Sequence, residues 1–373
     1  MKIANFSINN VEYGPGNVLV IAELGTSHGA DPVKAGEMIA AAAEAGADCI
    51  KFQIVYADEI LHPKTGEVAL PGGKIGLYGR FKELETPVSF FADMKEKTEK
   101  MGLHFLCTPF GPKSAEELRS LAPKCVKIAS PELNYRKLLV QIAGYRLPTL
   151  LSAGVSKLGD IEDALAIFAG FEGISGGLCL LHCVTAYPAP EKDYNLRVLG
   201  GLSSVFGVPV GVSDHSLDPE LVPALGVSQG ASVIEKHFCL SRDGDGLDDP
   251  IALDPASFAK MVRAIREAEK AGPGECVAAL CRERGREAVE AVLGDGVKRL
   301  APSEEANYQR TNRSIHALGE IREGDIIGKG MYASLRTEKN LRPGLPPSWE
   351  ERIEGRRAKQ LIPAGEGIRF EDI

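Results

Sequence analysis

The feature that most constrains the fold is a series of eight short apolar, β-rich runs, each followed by a helix-forming segment. These runs span residues 18–25, 49–55, 104–110, 125–130, 148–154, 178–184, 209–215 and 232–238. They alternate little between apolar and polar residues, which is typical of strands buried on both faces of a parallel sheet. The segment 32–46 has helical spacing, with Pro32 at its start and Gly46 at its end. Eight β-then-α units in about 250 residues predict a (β/α)8 barrel of the TIM type over residues 1–271.

The rest of the chain does not continue this alternation of β-rich runs and helix-forming segments. Residues 272–310 combine Gly and Pro with a charged, helix-like stretch, and we interpret them as a connector. From 311 to 373, short apolar runs are separated by turn signals such as REGD and PAGE, which predict a small β-rich domain. A doubly wound sheet is the alternative for the first part, but the turn after the first run lacks the GxGxxG fingerprint.

The net charge of −8 argues against a general role on nucleic acid or membrane surfaces, which would require a basic face. An anionic substrate would therefore need a local cluster of cations. Five of the eight cysteines lie in apolar runs and none forms a CxxC pair. The chain begins without the apolar region of a signal peptide and has no apolar stretch of about 20 residues. We therefore expect a cytoplasmic, reduced protein.

Polar residues collect where the predicted strands end. Functional groups of (β/α)8 barrels lie at the C-terminal ends of the strands, and charged side chains within core strands are costly unless paired. The residues at these ends are Glu23, Lys51, Gln53, Thr108, Lys127, Ser130, Ser152, His182, Ser213, His215, Glu235 and His237.

His215 and His237 end the last two strands, which are neighbours in a closed barrel. Two imidazoles at adjacent strand ends, with the carboxylate of Asp248 on the following loop, predict a divalent metal site. Lys236 alternates with His237 along the strand, so we expect it to point outward in a structural role.

Lys51 and Lys127 are expected to face the interior. Inward lysines either form a Schiff base or bind phosphate and carboxylate groups. The hydroxyl side chains near them favour an anion site, and they are Thr108, Ser130, Ser152 and Ser213.

Several motifs in succession resemble those of the sialic acid synthases. They are IAELGTSHGAD, CIKFQ, FLCTPF, KIAS, LLHCVTAYPAP, VGVSDHS and GASVIEKHF. The later LGDGVKRLAPSE and TNRSIHA are similar to that family's connector and to the start of its antifreeze-like (SAF, β-clip) domain. The resemblance covers nearly the whole chain, and the family also includes synthases of legionaminic and pseudaminic acid and spore-coat polysaccharide proteins.

The resemblance implies a transferase of the EC 2.5.1 type that condenses phosphoenolpyruvate with an N-acylated hexose. The hexose would be N-acetylmannosamine or a related 2,4-diacetamido sugar, and the products a nine-carbon 2-keto acid and phosphate. A divalent ion, Mn2+ or else Mg2+ or Co2+, would be bound by His215 and His237 and would polarise the sugar aldehyde.

The resemblance also assigns individual contacts. The residues matched to phosphoenolpyruvate are Lys51, Thr108, Lys127, Ser130, Ser152 and Ser213. Those matched to the sugar are Glu23, Gln53, Tyr187, Asp248 and Arg313, with Glu23 also the candidate for proton transfer. Arg313 would reach the barrel of a partner subunit, which implies a homodimer with swapped C-terminal domains. The family's usual pattern is changed at GTSHGAD, at residues 57–86, at Thr185 and at GLDD, all on the sugar side.

Two other functions stay open. A class I aldolase would use Lys127 or Lys51 to form an imine with its substrate. A non-catalytic polysaccharide-binding protein would use the C-terminal domain and would not need the polar set at the strand ends.

Overall fold

A computed structural model describes residues 6–70, 73–171 and 177–373, and its main body is built on eight parallel strands. These strands are β1 Leu19–Gly25, β2 Cys49–Ile54, β3 His104–Pro109, β4 Val126–Ile128, β5 Thr149–Ser152, β6 Leu178–Cys183, β7 Val210–Asp214 and β8 Val233–His237. Each lies within a run that the sequence predicts.

Helices lie between the strands and pack on the outside of the sheet. They are α1 Pro32–Glu44, α2 Val88–Lys100, α3 Pro112–Ser120, α4 Arg136–Gly144, α5 Leu158–Ala169, α6 Val198–Phe206, α7 Leu221–Ser228 and α8 Pro255–Ala271. Asp31 caps α1 by accepting the amide hydrogens of Val33 and Lys34, and Pro32 occupies its first turn. Residues between β2 and α2 add the short helices Ala57–Ile60 and Leu77–Glu83 and the hairpin strands Glu67–Leu70 and Gly73–Gly76.

The strand order is β3-β2-β1-β8-β7-β6-β5-β4, all parallel. Pairing of β1 with β8 joins the first strand to the last, as barrel closure requires. The two end strands of this order also meet, since Cys125 Sγ, immediately before β4, lies 3.7 Å from Phe105 O in β3. The eight parallel strands confirm the predicted (β/α)8 arrangement, and the doubly wound alternative is wrong.

The interior of the barrel is apolar at its N-terminal end. Inward residues of the strands form one buried cluster with the first hairpin (Phe6–Ile8 and Val11–Tyr13), which covers that end. Because strand side chains alternate with a period of two, each inward apolar residue is followed two positions later by another inward residue. Ile21 is followed in this way by Glu23, Cys49 by Lys51, and Val233 by Glu235. The polar set is therefore the next interior layer toward the C-terminal rim.

Residues after the barrel continue against it before forming a smaller unit. Helices α9 Pro273–Arg284 and α10 Arg286–Leu293 follow α8, and Val289, Val292 and Leu293 join the barrel core. Strands β9 Arg313–Ala317 and β10 Tyr332–Arg336 pair antiparallel, and Glu350–Ile353 forms a last short helix.

The region from β9 to the C-terminus has a hydrophobic core of its own. Turns occur at Gly324 and Gly365, within the REGD and PAGE signals, and both glycines have a positive φ. Among the helices in the described part of the chain, none has the length and apolar character that crossing a bilayer demands.

Candidate active site

The C-terminal ends of the strands surround a cavity of about 400 Å3. This volume is within the range of small-molecule binding sites, about 300–1,000 Å3. Ten of the thirteen residues that the sequence assigns to the site line it, namely Lys51, Gln53, Lys127, Ser130, Ser152, Tyr187, Ser213, His215, His237 and Asp248. Positions separated by up to nearly 200 residues in the sequence therefore meet at one cavity.

A carboxylate between two lysines occupies the floor of this cavity. Glu235 Oε1 lies 2.9 Å from Lys51 Nζ and 3.3 Å from Lys127 Nζ. It also accepts a hydrogen bond from Ser213 Oγ at 2.9 Å. Burial opposes ionisation of Glu235, but the two ammonium groups hold its pKa well below the ordinary value. Burial lowers the pKa of Lys51 to about 8, although Glu235 counteracts the shift.

Glu23 lies beside this cluster and is almost completely buried. Its Oε2 is 2.9 Å from Lys51 Nζ, and its Oε1 accepts a hydrogen bond of 2.6 Å from Gln53 Nε2. A side chain added at Gly25 would lie within 3.7 Å of Glu23 Oε1, of His237 Nδ1 and of Asp248 Oδ2. These three groups therefore converge on the backbone at Gly25, where the absence of a side chain leaves room for them.

Two buried hydroxyls at the strand ends have no hydrogen-bond partner among the residues that the structure describes. They belong to Thr108 on β3 and Ser152 on β5. Ser130, just after β4, instead accepts a hydrogen bond from Gly154 N at 2.9 Å. An unpaired buried hydroxyl is costly in a folded protein, so Ser152, which lines the cavity, is an expected donor to a bound polar ligand. Thr108 is buried and is not among the residues that line the cavity.

The two histidines lie side by side at the rim, with ring centroids 5.6 Å apart. Tyr187 stacks on His215 with centroids 4.4 Å apart. His215 Nδ1 is 2.9 Å from the carbonyl oxygen of Val184. In the tautomer in which Nδ1 donates a hydrogen bond to this oxygen, Nε2 carries a free lone pair. Burial, with a further contribution from His215, lowers the pKa of His237 well below its ordinary value, so this ring is neutral. Neutral imidazoles are the form that binds metal ions.

Asp248 supplies a carboxylate next to this pair. Its Oδ2 is 3.8 Å from His237 Nδ1, and burial raises its pKa to about 6. Within the described residues, no three His, Cys, Asp or Glu side chains come together as a ready-made metal site. Burial lowers the pKa of His215, but the adjacent Cys183 thiol outweighs burial and raises it, so metal binding would require this ring to release its proton. The donor set nevertheless fits a divalent ion with open positions, because two imidazoles and a nearby carboxylate are available.

A buried ion pair lies behind the histidines. Lys236 Nζ is 2.6 Å from Asp214 Oδ2, and both side chains are fully buried. Each partner immediately precedes a histidine of the pair in the sequence, and strands β7 and β8 place Asp214 opposite Lys236. Tyr194 Oη accepts a hydrogen bond from His215 N at 2.7 Å. Lys236 is therefore directed away from the cavity, as the alternation along the strand predicts.

Several residues that line the cavity were not anticipated from the sequence. From the C-terminal part of the chain come Asn307, Thr311, Arg336, Glu338 and Lys339, and from the segment before α2 come Leu77 and Phe81. The only signal for the last two was that residues 57–86 fall between two barrel strands at the C-terminal rim. Nothing in the local sequence distinguishes Arg336 from other arginines.

Arg313 lies away from the cavity, in contact with its own barrel. Its fully buried guanidinium pairs with Glu132 at 2.9 Å and donates to Phe110 O at 2.6 Å and Ser334 O at 3.2 Å. Glu132 also binds Arg336, at 2.8 Å, and it is Arg336 that faces the cavity. The role of Arg313 as a sugar contact in a partner subunit stays a prediction, since a single chain is described.

A (β/α)8 barrel whose cavity, at the C-terminal ends of the strands, is lined by lysines, hydroxyls and two histidines has the layout of a barrel enzyme. The chain belongs to the NeuB family, whose model matches residues 38–275.

Named relatives cover almost all of the chain. It is 32% identical to the spore coat polysaccharide biosynthesis protein SpsE of Bacillus subtilis, over 100% of this chain and 98% of that protein. It is 33% identical to N,N'-diacetyllegionaminic acid synthase of Legionella pneumophila, over 95% and 94%. It is 31% identical to pseudaminic acid synthase of Campylobacter jejuni, over 100% and 99%. The crystal structure of the B. subtilis SpsE superimposes with a TM-score of 0.81 over 99% of both chains.

Proposed function

We propose that this protein is a sialic-type acid synthase that condenses phosphoenolpyruvate with an N-acylated hexose. One observation carries the proposal: two lysines and three serine hydroxyls line the same cavity as a pair of histidines. The first group suits an anion and the second suits a metal ion. The relatives named for legionaminic and pseudaminic acid synthesis support the sugar class.

The lysine half of the cavity is proposed to bind phosphoenolpyruvate. Its phosphate and carboxylate would take the place of Glu235 beside the ammonium groups of Lys51 and Lys127, which Glu235 contacts in the structure. Ser152, which lines the cavity, would donate its unpaired hydroxyl to the same oxygens. The contact of Thr108 with phosphoenolpyruvate stays a prediction. Charge-assisted hydrogen bonds of this kind are about twice as strong as neutral ones, so they can offset the displacement of Glu235.

The histidine half is proposed to receive the sugar. His215 and His237 would bind a divalent ion, with Mn2+ the expected one, and a bound ion would supply Lewis-acid polarisation of the open-chain aldehyde. Tyr187, stacked on His215, offers a flat face to the sugar. Gln53 and Asp248 line the cavity nearby and can hydrogen-bond its hydroxyl and N-acyl groups.

The proposed reaction joins C3 of phosphoenolpyruvate to the aldehyde carbon of the sugar. The aldehyde oxygen gains a proton, and Glu23 is the candidate carrier because it lies beside both Lys51 and the Gly25 region shared with His237. Water adds to C2, and the tetrahedral intermediate expels phosphate with cleavage of the C–O bond. The products are a nine-carbon 2-keto acid and phosphate.

A Schiff-base aldolase is the second candidate, favoured by the pKa of Lys51, lowered to about 8 by burial. In the structure Lys51 contacts both Glu23 and Glu235, which keeps the ammonium form engaged. Treatment with borohydride and pyruvate, followed by mass spectrometry of the intact protein, separates the two reactions. We expect no mass increase, whereas a stable adduct on Lys51 or Lys127 would favour the aldolase.

The direct test is release of phosphate from phosphoenolpyruvate in the presence of Mn2+. N-acetylmannosamine and its 2,4-diacetamido-trideoxy analogues should be screened as acceptors. We expect release that requires both an N-acyl hexose and the metal. Release that is unchanged by a chelator would overturn the metal role, and absence of release with every acceptor would overturn the proposed reaction.

A swapped homodimer belongs to the same proposal. Measurement of the molar mass in solution tests it, with twice the mass of one chain as the expected result. Mixing two inactive variants, one altered in the barrel and one in the C-terminal part, tests whether active sites are shared between subunits.

A further inference from the structure

The connector between the barrel and the C-terminal strands touches the loops that follow β5 and β6. Lys298 Nζ donates to Ala153 O at 3.3 Å, and Asn312 Nδ2 donates to Val155 O at 3.1 Å. Asn307 Nδ2 donates to Thr185 O at 3.4 Å. A passive linker would not need side chains directed at backbone groups of two different barrel loops.

Glu304 is the centre of these contacts and is 1% exposed. Its Oε1 accepts two hydrogen bonds of 2.7 Å, one from Val155 N on the β5 loop and one from Thr185 N on the β6 loop. Its Oε2 accepts from Ala301 N at 3.2 Å within the connector. A single carboxylate therefore joins three chain segments.

The β5 loop has a backbone conformation that requires such support. Val155 has a φ of +41°, in the left-handed region, where a β-branched residue is strained. Strained residues of this kind persist only when their surroundings fix them. Both polar backbone groups of Val155 are held by the connector, its N–H by Glu304 and its carbonyl by Asn312.

The two loops that Glu304 joins also meet at the wall of the cavity. Gly154 N donates to Ser130 Oγ at 2.9 Å. A side chain at Gly154 would lie 2.1 Å from Thr185 Oγ1 and 2.9 Å from Ser130 Oγ, so the loops are in close contact there. Ser130 and Thr185 line the cavity, and Tyr187 follows two residues later. A shift of either loop would therefore alter the wall of the cavity.

We propose that Glu304 is a positioning residue, which fixes the β5 and β6 loops around the ligand cavity through hydrogen bonds to Val155 N and Thr185 N. In its kinetic consequence the inference rests on the proposed synthase function. Glu304 does not line the cavity, and it acts through the backbone of these loops.

The hydrogen bonds that Glu304 accepts determine which variants are informative. Glu304→Gln keeps one oxygen that can accept both loop hydrogen bonds, and it loses the charge and the acceptor for Ala301 N. Glu304→Leu has a similar size but removes the acceptor of three N–H groups, those of Val155, Thr185 and Ala301, which is costly. Glu305→Gln, at the exposed neighbouring position, is the matched control.

Hydrogen–deuterium exchange of the ligand-free protein tests the contacts without reference to any reaction. We expect faster exchange in peptides containing Val155 and Thr185 for Glu304→Leu, and unchanged exchange for Glu305→Gln, because loss of a buried hydrogen bond makes local opening easier. Unchanged exchange at both sites in Glu304→Leu would overturn the inference. An inactive wild-type protein would instead overturn the proposed reaction, and the exchange result would still stand.

Kinetics separate positioning from the other roles. For Glu304→Leu we expect kcat/KM for phosphoenolpyruvate to fall on the order of tenfold or more, because small misplacements of binding groups have large kinetic effects. Mn2+ affinity should not change, and Glu304→Gln should stay within about threefold of wild type. Equal losses in Gln and Leu would show that the charge itself is required. A lower melting temperature with normal kcat/KM would show a purely structural role.

If Glu304→Leu does not fold, a second variant is needed to test the positioning role of Glu304. Asn312→Ala is the second test: it removes the hydrogen bond to Val155 O and one that Asn312 Oδ1 accepts from Gln309 N at 2.8 Å, and it leaves Glu304 in place. Faster exchange at residues 153–156 with a smaller fall in kcat/KM supports the inference. Normal exchange and normal kinetics in Asn312→Ala would contradict it.

Discussion

Lys51 illustrates at the scale of a single residue how burial and function oppose each other. Its folded pKa of about 8 lies below the value of about 10.4 for an exposed lysine. The unfolded chain therefore binds more protons between these two pH values, and the contribution of Lys51 to stability rises with pH across that window. Binding of an anion requires the charged form, so the affinity for phosphoenolpyruvate should change in the opposite direction.

The first prediction is a fall in kcat/KM for phosphoenolpyruvate as the pH rises through about 8, because Lys51 then loses its proton. A pH–rate profile measured under constant ionic strength checks it. Lys51→Arg should shift this basic limb to higher pH, since a guanidinium stays charged. A profile that is flat to pH 10, or a limb that does not move in Lys51→Arg, would contradict this assignment.

The second prediction concerns His237. His237→Ala should reduce Mn2+ affinity by more than the roughly 10–100-fold that loss of a second-shell partner typically costs, because one of two proposed imidazole ligands is removed. Isothermal titration calorimetry on the metal-free protein measures this without any assay of activity. His182→Ala is the control, since His182 is a buried strand-end histidine that donates to Tyr194 O and does not line the cavity. Retained metal stoichiometry and affinity in His237→Ala would refute the ligand assignment.

At the scale of secondary-structure elements, β7 and β8 are joined behind the site by the Asp214–Lys236 pair. Burial alone would raise the pKa of Asp214, but Lys236 keeps it lowered, so the carboxylate stays ionised. Removal of one partner from a fully buried pair leaves an uncompensated charge and typically costs about 3–5 kcal/mol.

The third prediction is that Lys236→Met lowers the free energy of unfolding by about 3–5 kcal/mol, as measured by urea denaturation. The double variant Lys236→Met with Asp214→Leu should recover most of this loss, since no buried charge then remains. Lys95→Met, which breaks a surface pair with Glu99, is the control and should have a much smaller effect. Similar losses for Lys236→Met and Lys95→Met would contradict the role of the buried pair.

The strands show why much of the barrel could be predicted from the sequence. Each strand carries its own signal, because residues buried on both faces leave an apolar run and inward polar residues stand out at its end. The run ending in Glu235 and His237 is an example, since only their alternation with Lys236 was needed to assign the two sides. The connector gave no such signal: Glu304 is one acidic residue among several, and its partners lie more than 100 residues away.

At the scale of the whole molecule, the C-terminal part is attached to the barrel through Glu132. Strand pairing places Arg313 opposite Arg336, and the single buried carboxylate of Glu132 neutralises one of the two charges. Sequence motifs identified Arg313, but they could not predict which arginine faces the cavity, because this depends on strand register and on packing against a distant loop.

The fourth prediction distinguishes the two arginines. Within one chain, Arg313→Met should lower the free energy of unfolding by about 3–5 kcal/mol, since Glu132 loses one partner and several buried carbonyl groups lose their donors. Arg336→Met should cost less stability and should raise the KM for the N-acyl sugar, because Arg336 lines the cavity. Normal stability together with a raised sugar KM in Arg313→Met would instead favour insertion of Arg313 into a partner barrel.

The central claim is that one cavity joins phosphoenolpyruvate to an N-acyl hexose with cleavage of the C–O bond. Phosphoenolpyruvate labelled with 18O at the bridging oxygen tests it directly, with 31P NMR of the phosphate released in the presence of Mn2+ and sugar. We predict that the label appears in phosphate and that release requires the sugar. Unlabelled phosphate, with the bridging oxygen retained in the keto acid or in pyruvate, would contradict the proposed reaction.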